Sequence, residues 1–265
     1  MTLVLALGRL LGVVDRLRGE GGCPWDLEQT PVSFAPALIE ESFEVVEAIE
    51  TGDRRAQTEE LGDVAASLLL LTRILEQSGC GGLAEAADAA TDKLVRRHPH
   101  VFGSDSRASG DEVLVSWEEI KKRERRERGE DASALAGVPK GLPAIQRAQR
   151  LGSKAMAAGF RWPDVGGASA KLREELAELE AAGALDGSSL ERQAALEHEL
   201  GDLLLAAAQF ANYESLDAGA CARAAARRFE ARFRHAEQSL GGTLEGRPLA
   251  EMMEAWKQAK ASLAT

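Results

Sequence analysis

Apolar positions recur three and four residues apart along most of the chain, the spacing that lines one face of an α-helix. Leu3, Leu7, Leu10, Val14 and Leu17 set the pattern at the start, and comparable stretches predict helices at roughly 2–18, 32–50, 55–77, 83–98 and 110–128. The breaks coincide with Gly and Pro punctuation: "GEGGCPW", "TGD", "SGCGG" and "HPHVFGSDSRASGD". The stretch "GEDASALAGVPKGLP" from Gly129 to Pro143 has no apolar period and reads as a linker. After it the helical pattern starts again.

The restart repeats what came before. "GCPWD" at Gly22 is echoed by "GFRWP" at Gly159, "EESFE" at Glu40 by "EELAE" at Glu174, and "ELGDVAASLLL" at Glu60 by "ELGDLLLAAAQ" at Glu199. "KLVRR" at Lys93 corresponds to "RFEAR" at Arg228, and "WEEIK" at Trp117 to "WKQAK" at Trp256. Five matches in one order, all offset by 134 to 139 residues, predict two copies of one helical domain. The expected organisation is a first domain over 1–128, a linker over 129–142 and a second domain over 143–265.

Composition supports the all-α reading, since Ala, Leu, Glu and Arg abound while β-branched and aromatic residues are scarce. A net charge of -11 argues against nucleic acid as a partner, because phosphate contacts need a basic field. Three cysteines without paired spacing suggest reduced thiols and a cytoplasmic location. The apolar start has its basic residues after the apolar run and no small-residue cleavage site, so a packed amphipathic helix is expected there, not a signal sequence. No apolar run is long enough for a membrane span.

The acidic residues carry the chemistry. Glu41 and Glu44 share a helix face, as do Glu60 and Asp63 on the next helix, and the short "ETGDRRAQ" connection makes the two helices antiparallel neighbours. Four carboxylates then converge, and like charges so close repel or protonate unless a cation sits among them. Glu175, Glu178, Glu199 and Asp202 repeat the arrangement. No histidine stands three residues after a ligand Glu, as a di-iron bundle would have it, and an all-oxygen set favours Mg²⁺, with Mn²⁺ as a substitute, over zinc or iron. Solvated helix charge is the common account of Glu clusters. Close alternation with apolar residues, and recurrence in both copies, favour a metal site.

The pattern E-E-x-x-E followed by E-x-x-D, present as "EESFE…ELGD" and "EELAE…ELGD", resembles the MazG family of nucleoside triphosphate pyrophosphohydrolases, and "GCPWDLEQT" and "RRHPHVF" are similar to its N-terminal copy. The resemblance extends over nearly the whole chain. It implies an all-α homodimer that hydrolyses nucleoside triphosphates to monophosphate and pyrophosphate with Mg²⁺, in nucleotide-pool housecleaning. It also implies a metal-ligand set of Glu41, Glu44, Glu60 and Asp63 in the first copy and Glu175, Glu178, Glu199 and Asp202 in the second. Glu40 and Glu174 precede each set and point about 100° away around the helix, where they are candidates to orient the attacking water. The catalytic expectation therefore covers Glu40, Glu41, Glu174 and Glu175.

Water attack on the α-phosphorus also needs cations to hold the leaving pyrophosphate. Lys93 and Arg97 at i and i+4 supply them in the first copy, Arg228 and Arg232 in the second; without the repeat, each pair would read as solvated helix surface. Trp117 with Lys121 and Trp256 with Lys260 put a ring and an ammonium on one face, suited to a base and a phosphate, although plain packing accounts equally well for the rings. Lys171 resembles a further phosphate contact of the family, and its counterpart in the first copy falls near Ala37, which favours the second copy as the main catalyst. Trp25 and Trp162 are expected to anchor the first connection, and His98 and His100 to sit at a helix end stopped by Pro99. Two alternatives stand beside this reading: a related all-α pyrophosphohydrolase acting on dUTP or phosphoribosyl-ATP, and a non-catalytic helical dimerisation or regulatory protein.

Overall fold

A computed structural model describes residues 2–103, 109–185 and 189–263, and every regular element among them is a helix. The chain divides into two compact units, one up to Arg123 and one from Glu124. No described helix is long and apolar enough to cross a membrane.

The first unit holds α1 (Leu3–Leu17), α2 (Pro24–Glu28), α3 (Pro31–Thr51), α4 (Arg54–Gln77), α5 (Leu83–Arg97), α6 (Pro99–Phe102) and the start of α7 (Gly110–Glu127). Its centre is the α3–α4 hairpin. Thr30 opens α3 with a reciprocal capping box: its hydroxyl accepts from the Ser33 amide at 3.1 Å, and the Ser33 hydroxyl accepts from the Thr30 amide at 2.9 Å. Gly52 ends the helix in the left-handed region at φ 77°, which only glycine enters without strain. Asp53 then caps α4 by accepting from the Arg55 and Ala56 amides, both at 3.0 Å. Two linking residues are enough to reverse the chain.

Val14, Phe34, Leu69, Leu70 and Ile74 form the buried core where α1 lies across this hairpin. Arg18, itself buried, fastens the end of α1: its Nε donates to Gln77 Oε1 at 2.8 Å and its Nη1 to the Asp26 carbonyl. That connection was expected to be anchored by Trp25. Trp25 is instead 60 % exposed, and the buried members are Arg18 and Asp26.

The second unit holds α8 (Ala144–Ala157), α9 (Val165–Gly183), α10 (Ser189–Tyr213), α11 (Ala218–Ser239) and α12 (Leu249–Ser262). α9 packs along α10, and α8 covers another side of α10. Close approach there depends on Gly152, where an added Cβ would lie 2.9 Å from Gln209 Cγ and 3.0 Å from Asn212 Nδ2. Gln149 fixes the turn into α11 by donating to the Leu216 carbonyl at 2.6 Å and accepting from the Ala218 amide at 2.9 Å. Trp162 is held through its backbone, which both donates to and accepts from the Tyr213 hydroxyl, and its side chain lies against Gly167. α11 and α12 pack chiefly on each other. The segment between α7 and α8 forms no helix, yet it buries Ala136 and so is more than an exposed tether.

Candidate active site

The α3–α4 hairpin sets the carboxylates level with one another. Glu41 and Asp63 each lie eleven residues from Gly52, and Glu44 and Glu60 each lie eight, so members of a pair stand at the same height along antiparallel helices. Glu41, Glu60 and Asp63 bring one carboxylate oxygen apiece to within 4.8 Å of each other, a grouping that could hold a metal ion. Glu44 completes the quartet by sharing a hydrogen bond with Glu60.

The electrostatics are those of crowded like charge. Partial desolvation, followed by the charges of Glu44, Asp63 and Glu40, pushes the Glu41 carboxyl above its ordinary value. Desolvation, and then the hydrogen bond with Glu44, does the same to Glu60.

In the second unit Glu175, Glu199 and Asp202 likewise place oxygens within 4.8 Å of one another, as do Glu174, Glu175 and Glu178. Glu178 therefore adjoins the first group through Glu175, and desolvation with the Glu175 charge raises its carboxyl. Glu174, one residue off the ligand face, still swings its exposed carboxylate back to the cluster. Glu175 is the best shielded of them, with only 4 % of the residue exposed.

Lys171 distinguishes this site from the first. Its ammonium lies 2.7 Å from Glu174 Oε1 and 2.5 Å from Glu175 Oε1, and those two bonds raise its own pKa. His198 also joins the edge, with Nε2 at 3.5 Å from Asp202 Oδ2. Sequence reasoning passed over it, although its i, i+4 spacing from Asp202 was the available signal.

The remaining predicted residues gather on other helices. In the first unit Lys93 and Arg97 lie on α5, Lys93 exposed and Arg97 half-buried. Lys121 Nζ stands 4.0 Å over the Trp117 ring, a cation–π contact, and His98 lies 6.1 Å from that ring. His98 ends α5 as expected, with Nδ1 2.6 Å from the Leu94 carbonyl. In the second unit Arg228 and Arg232 sit on α11 and Lys260 on α12; among the described residues none of the three pairs with the acidic group. Trp256 packs 5.3 Å from Phe229, which in turn stacks 5.9 Å from Phe233. Arg232 has a buried Nε with no partner.

Paired helices that each present an all-oxygen carboxylate cluster define the class: an all-α protein built around two acidic, metal-suited hairpins. Comparison with known proteins narrows the class to a family. Residues 29–102, which contain the whole first quartet, match the model of the MazG nucleotide pyrophosphohydrolase domain. The chain is 38 % identical over 260 residues to the nucleoside triphosphate pyrophosphohydrolase of Escherichia coli K12, covering 96 % of this chain and 97 % of that protein. It is 33 % identical over 254 residues to the nucleoside triphosphate pyrophosphohydrolase/pyrophosphatase MazG of Thermotoga maritima, covering 95 % and 94 %. The nucleoside triphosphate pyrophosphohydrolase of Mycolicibacterium smegmatis is 36 % identical over 152 residues, which is 57 % of this chain and 46 % of the relative. The chain belongs to the MazG family.

Proposed function

We propose that the protein hydrolyses nucleoside triphosphates to nucleoside monophosphate and pyrophosphate in a Mg²⁺-dependent reaction, as an enzyme of nucleotide-pool housecleaning. The observation that carries this reading is the carboxylate cluster on paired helices, present in both units of a chain whose full-length relatives bear the name nucleoside triphosphate pyrophosphohydrolase.

The donor set fits a hard divalent cation. Every candidate ligand is a carboxylate oxygen, and desolvation followed by acidic neighbours raises the carboxyls of Glu41, Glu60 and Glu178. Glu41, Glu44, Glu60 and Asp63 would hold the ion in the first unit, and Glu175, Glu178, Glu199 and Asp202 in the second. When bound, Mg²⁺ supplies charge neutralisation of the triphosphate oxygens. Mn²⁺ is an acceptable substitute.

The chain's own residues supply the rest. Glu174 in the second site and Glu40 in the first adjoin the ligand face without being central to it, which suits the orientation of a water and acceptance of its proton. As the water oxygen bonds to the α-phosphorus, the bond from that phosphorus to the bridging oxygen breaks, and pyrophosphate departs with its electrons. Lys171, Arg228, Arg232 and Lys260 hold the phosphates, with Trp256 against the base; Lys93, Arg97, Lys121 and Trp117 have the same assignments in the first unit. The second unit, with a lysine beside its quartet, is the main catalyst.

A homodimer accompanies this reading. Leu61 and Leu200, next to the ligands Glu60 and Glu199, are 62 % and 48 % exposed, and Ile39, Phe43, Leu68 and Leu204 add apolar surface on the same acidic helices. Pyrophosphate and monophosphate released from a panel of nucleoside triphosphates with Mg²⁺, and abolished by EDTA, are the expected products. Release of orthophosphate alone, or no turnover of any member of the panel, would overturn the assignment.

A further inference from the structure

The two quartets differ in one respect that bears on how each is loaded. In the second, α9 places Lys171 one turn before Glu174 and Glu175, and its ammonium contacts both at 2.7 and 2.5 Å. Glu175 is the carboxylate shared by both oxygen groupings of that site, and its side chain is 5 % exposed, so the lysine is bonded to the ligand that solvent screens least. In the first unit the matching position is Ala37, which bears no charge and packs against the core.

We propose that Lys171 is a built-in counter-cation that competes with the metal for Glu175 and passes to the substrate phosphates as they arrive, so that metal and nucleotide load together at the second site. This rests on the metal and substrate reading given above. Ammonium and divalent cation both seek the same carboxylate oxygens, and two cations held at contact distance around one buried carboxylate repel strongly. Lysine's four-carbon stem lets its charge leave without moving the helix. A triphosphate offers the ammonium a new partner. Drawing Lys171 away frees Glu175 for the metal, and by linkage the bound metal favours the triphosphate to the same degree. The first quartet has Ala37 where the second has this lysine, so it binds metal without waiting for nucleotide.

The test is Mn²⁺ binding to the full chain, followed by calorimetry without nucleotide, with the first quartet disabled by E41Q/D63N. Adding K171M should tighten Mn²⁺ binding roughly tenfold, as expected from removing one competing charge in a half-solvated setting. The same change should raise KM for nucleoside triphosphate, and K171R should restore the weaker Mn²⁺ affinity. A lysine that only contacts phosphate would raise KM and leave Mn²⁺ affinity unchanged; a lysine that only supports the helix would weaken Mn²⁺ binding. Either of those results overturns the inference and leaves the metal reading standing. Absence of Mn²⁺ binding in the E41Q/D63N/K171M protein, where no lysine competes, overturns both.

Discussion

At the level of single residues, the two sites share ligand chemistry and differ in charge balance. Glu41 and Glu60 have carboxyls raised above 4.5 by desolvation and by their acidic neighbours. A raised carboxyl favours the folded state while protonated; that contribution is complete below about pH 4.5 and is lost as pH rises through the elevated value. At neutral pH without metal the first quartet therefore opposes folding. E60Q should melt at a higher temperature than the unaltered protein in EDTA at pH 7, the gap should close as pH falls toward 4.5, and saturating Mg²⁺ should reverse the order. A calorimetric pH series reads all three. E41Q should behave as E60Q does, whereas its counterpart E175Q should show no such gain, because Glu175 is bonded to the Lys171 ammonium. The spacing of E-E-x-x-E and E-x-x-D made the quartets legible in the sequence. The spacing of Lys171 and His198 from their acidic neighbours was legible too, but which of these long side chains would close on a carboxylate was not, since that depends on how they settle on the folded helix.

At the level of elements, the helical hairpin is what makes the spacing effective. Gly52 and Asp53 reverse the chain in two residues, so equal distances from the turn become equal heights on α3 and α4. The five helices predicted before the linker match α1, α3, α4, α5 and α7 to within a residue or two at their ends. The short helices α2 and α6 escaped notice because four or five residues opened by a proline show no measurable apolar period. Trp25 was expected to anchor the first connection and does not, because Arg18 reaches the backbone of that loop and fills the role. The α11–α12 pair carries Arg228, Arg232, Trp256 and Lys260 on helices separate from the acidic hairpin. Metal affinity and phosphate affinity should therefore be separable. Arg232→Ala and Lys260→Ala should each raise KM about tenfold or more through lost phosphate contacts, with Mn²⁺ binding to the nucleotide-free protein unchanged. Loss of helical circular dichroism in both variants would make these residues structural instead.

At the level of the molecule, the same architecture occurs twice in one chain, and the Escherichia coli and Thermotoga maritima relatives span it almost end to end. The repeat was visible as five ordered matches at nearly constant offset. Which leucines stay exposed was not visible, because Leu61 and Leu200 look in sequence like any helix interior. Sedimentation should give a dimer at micromolar concentration; a fully active monomer would contradict that assignment. The central claim is that the carboxylate quartets direct water to the α-phosphorus. Its most direct test is turnover in ¹⁸O-labelled water, comparing the unaltered chain with the folded E41Q/D63N/E175Q/D202N variant. The account predicts label in the monophosphate and unlabelled pyrophosphate from the unaltered chain, and no turnover from the variant. Label in pyrophosphate or orthophosphate, or full activity in the variant, would contradict it.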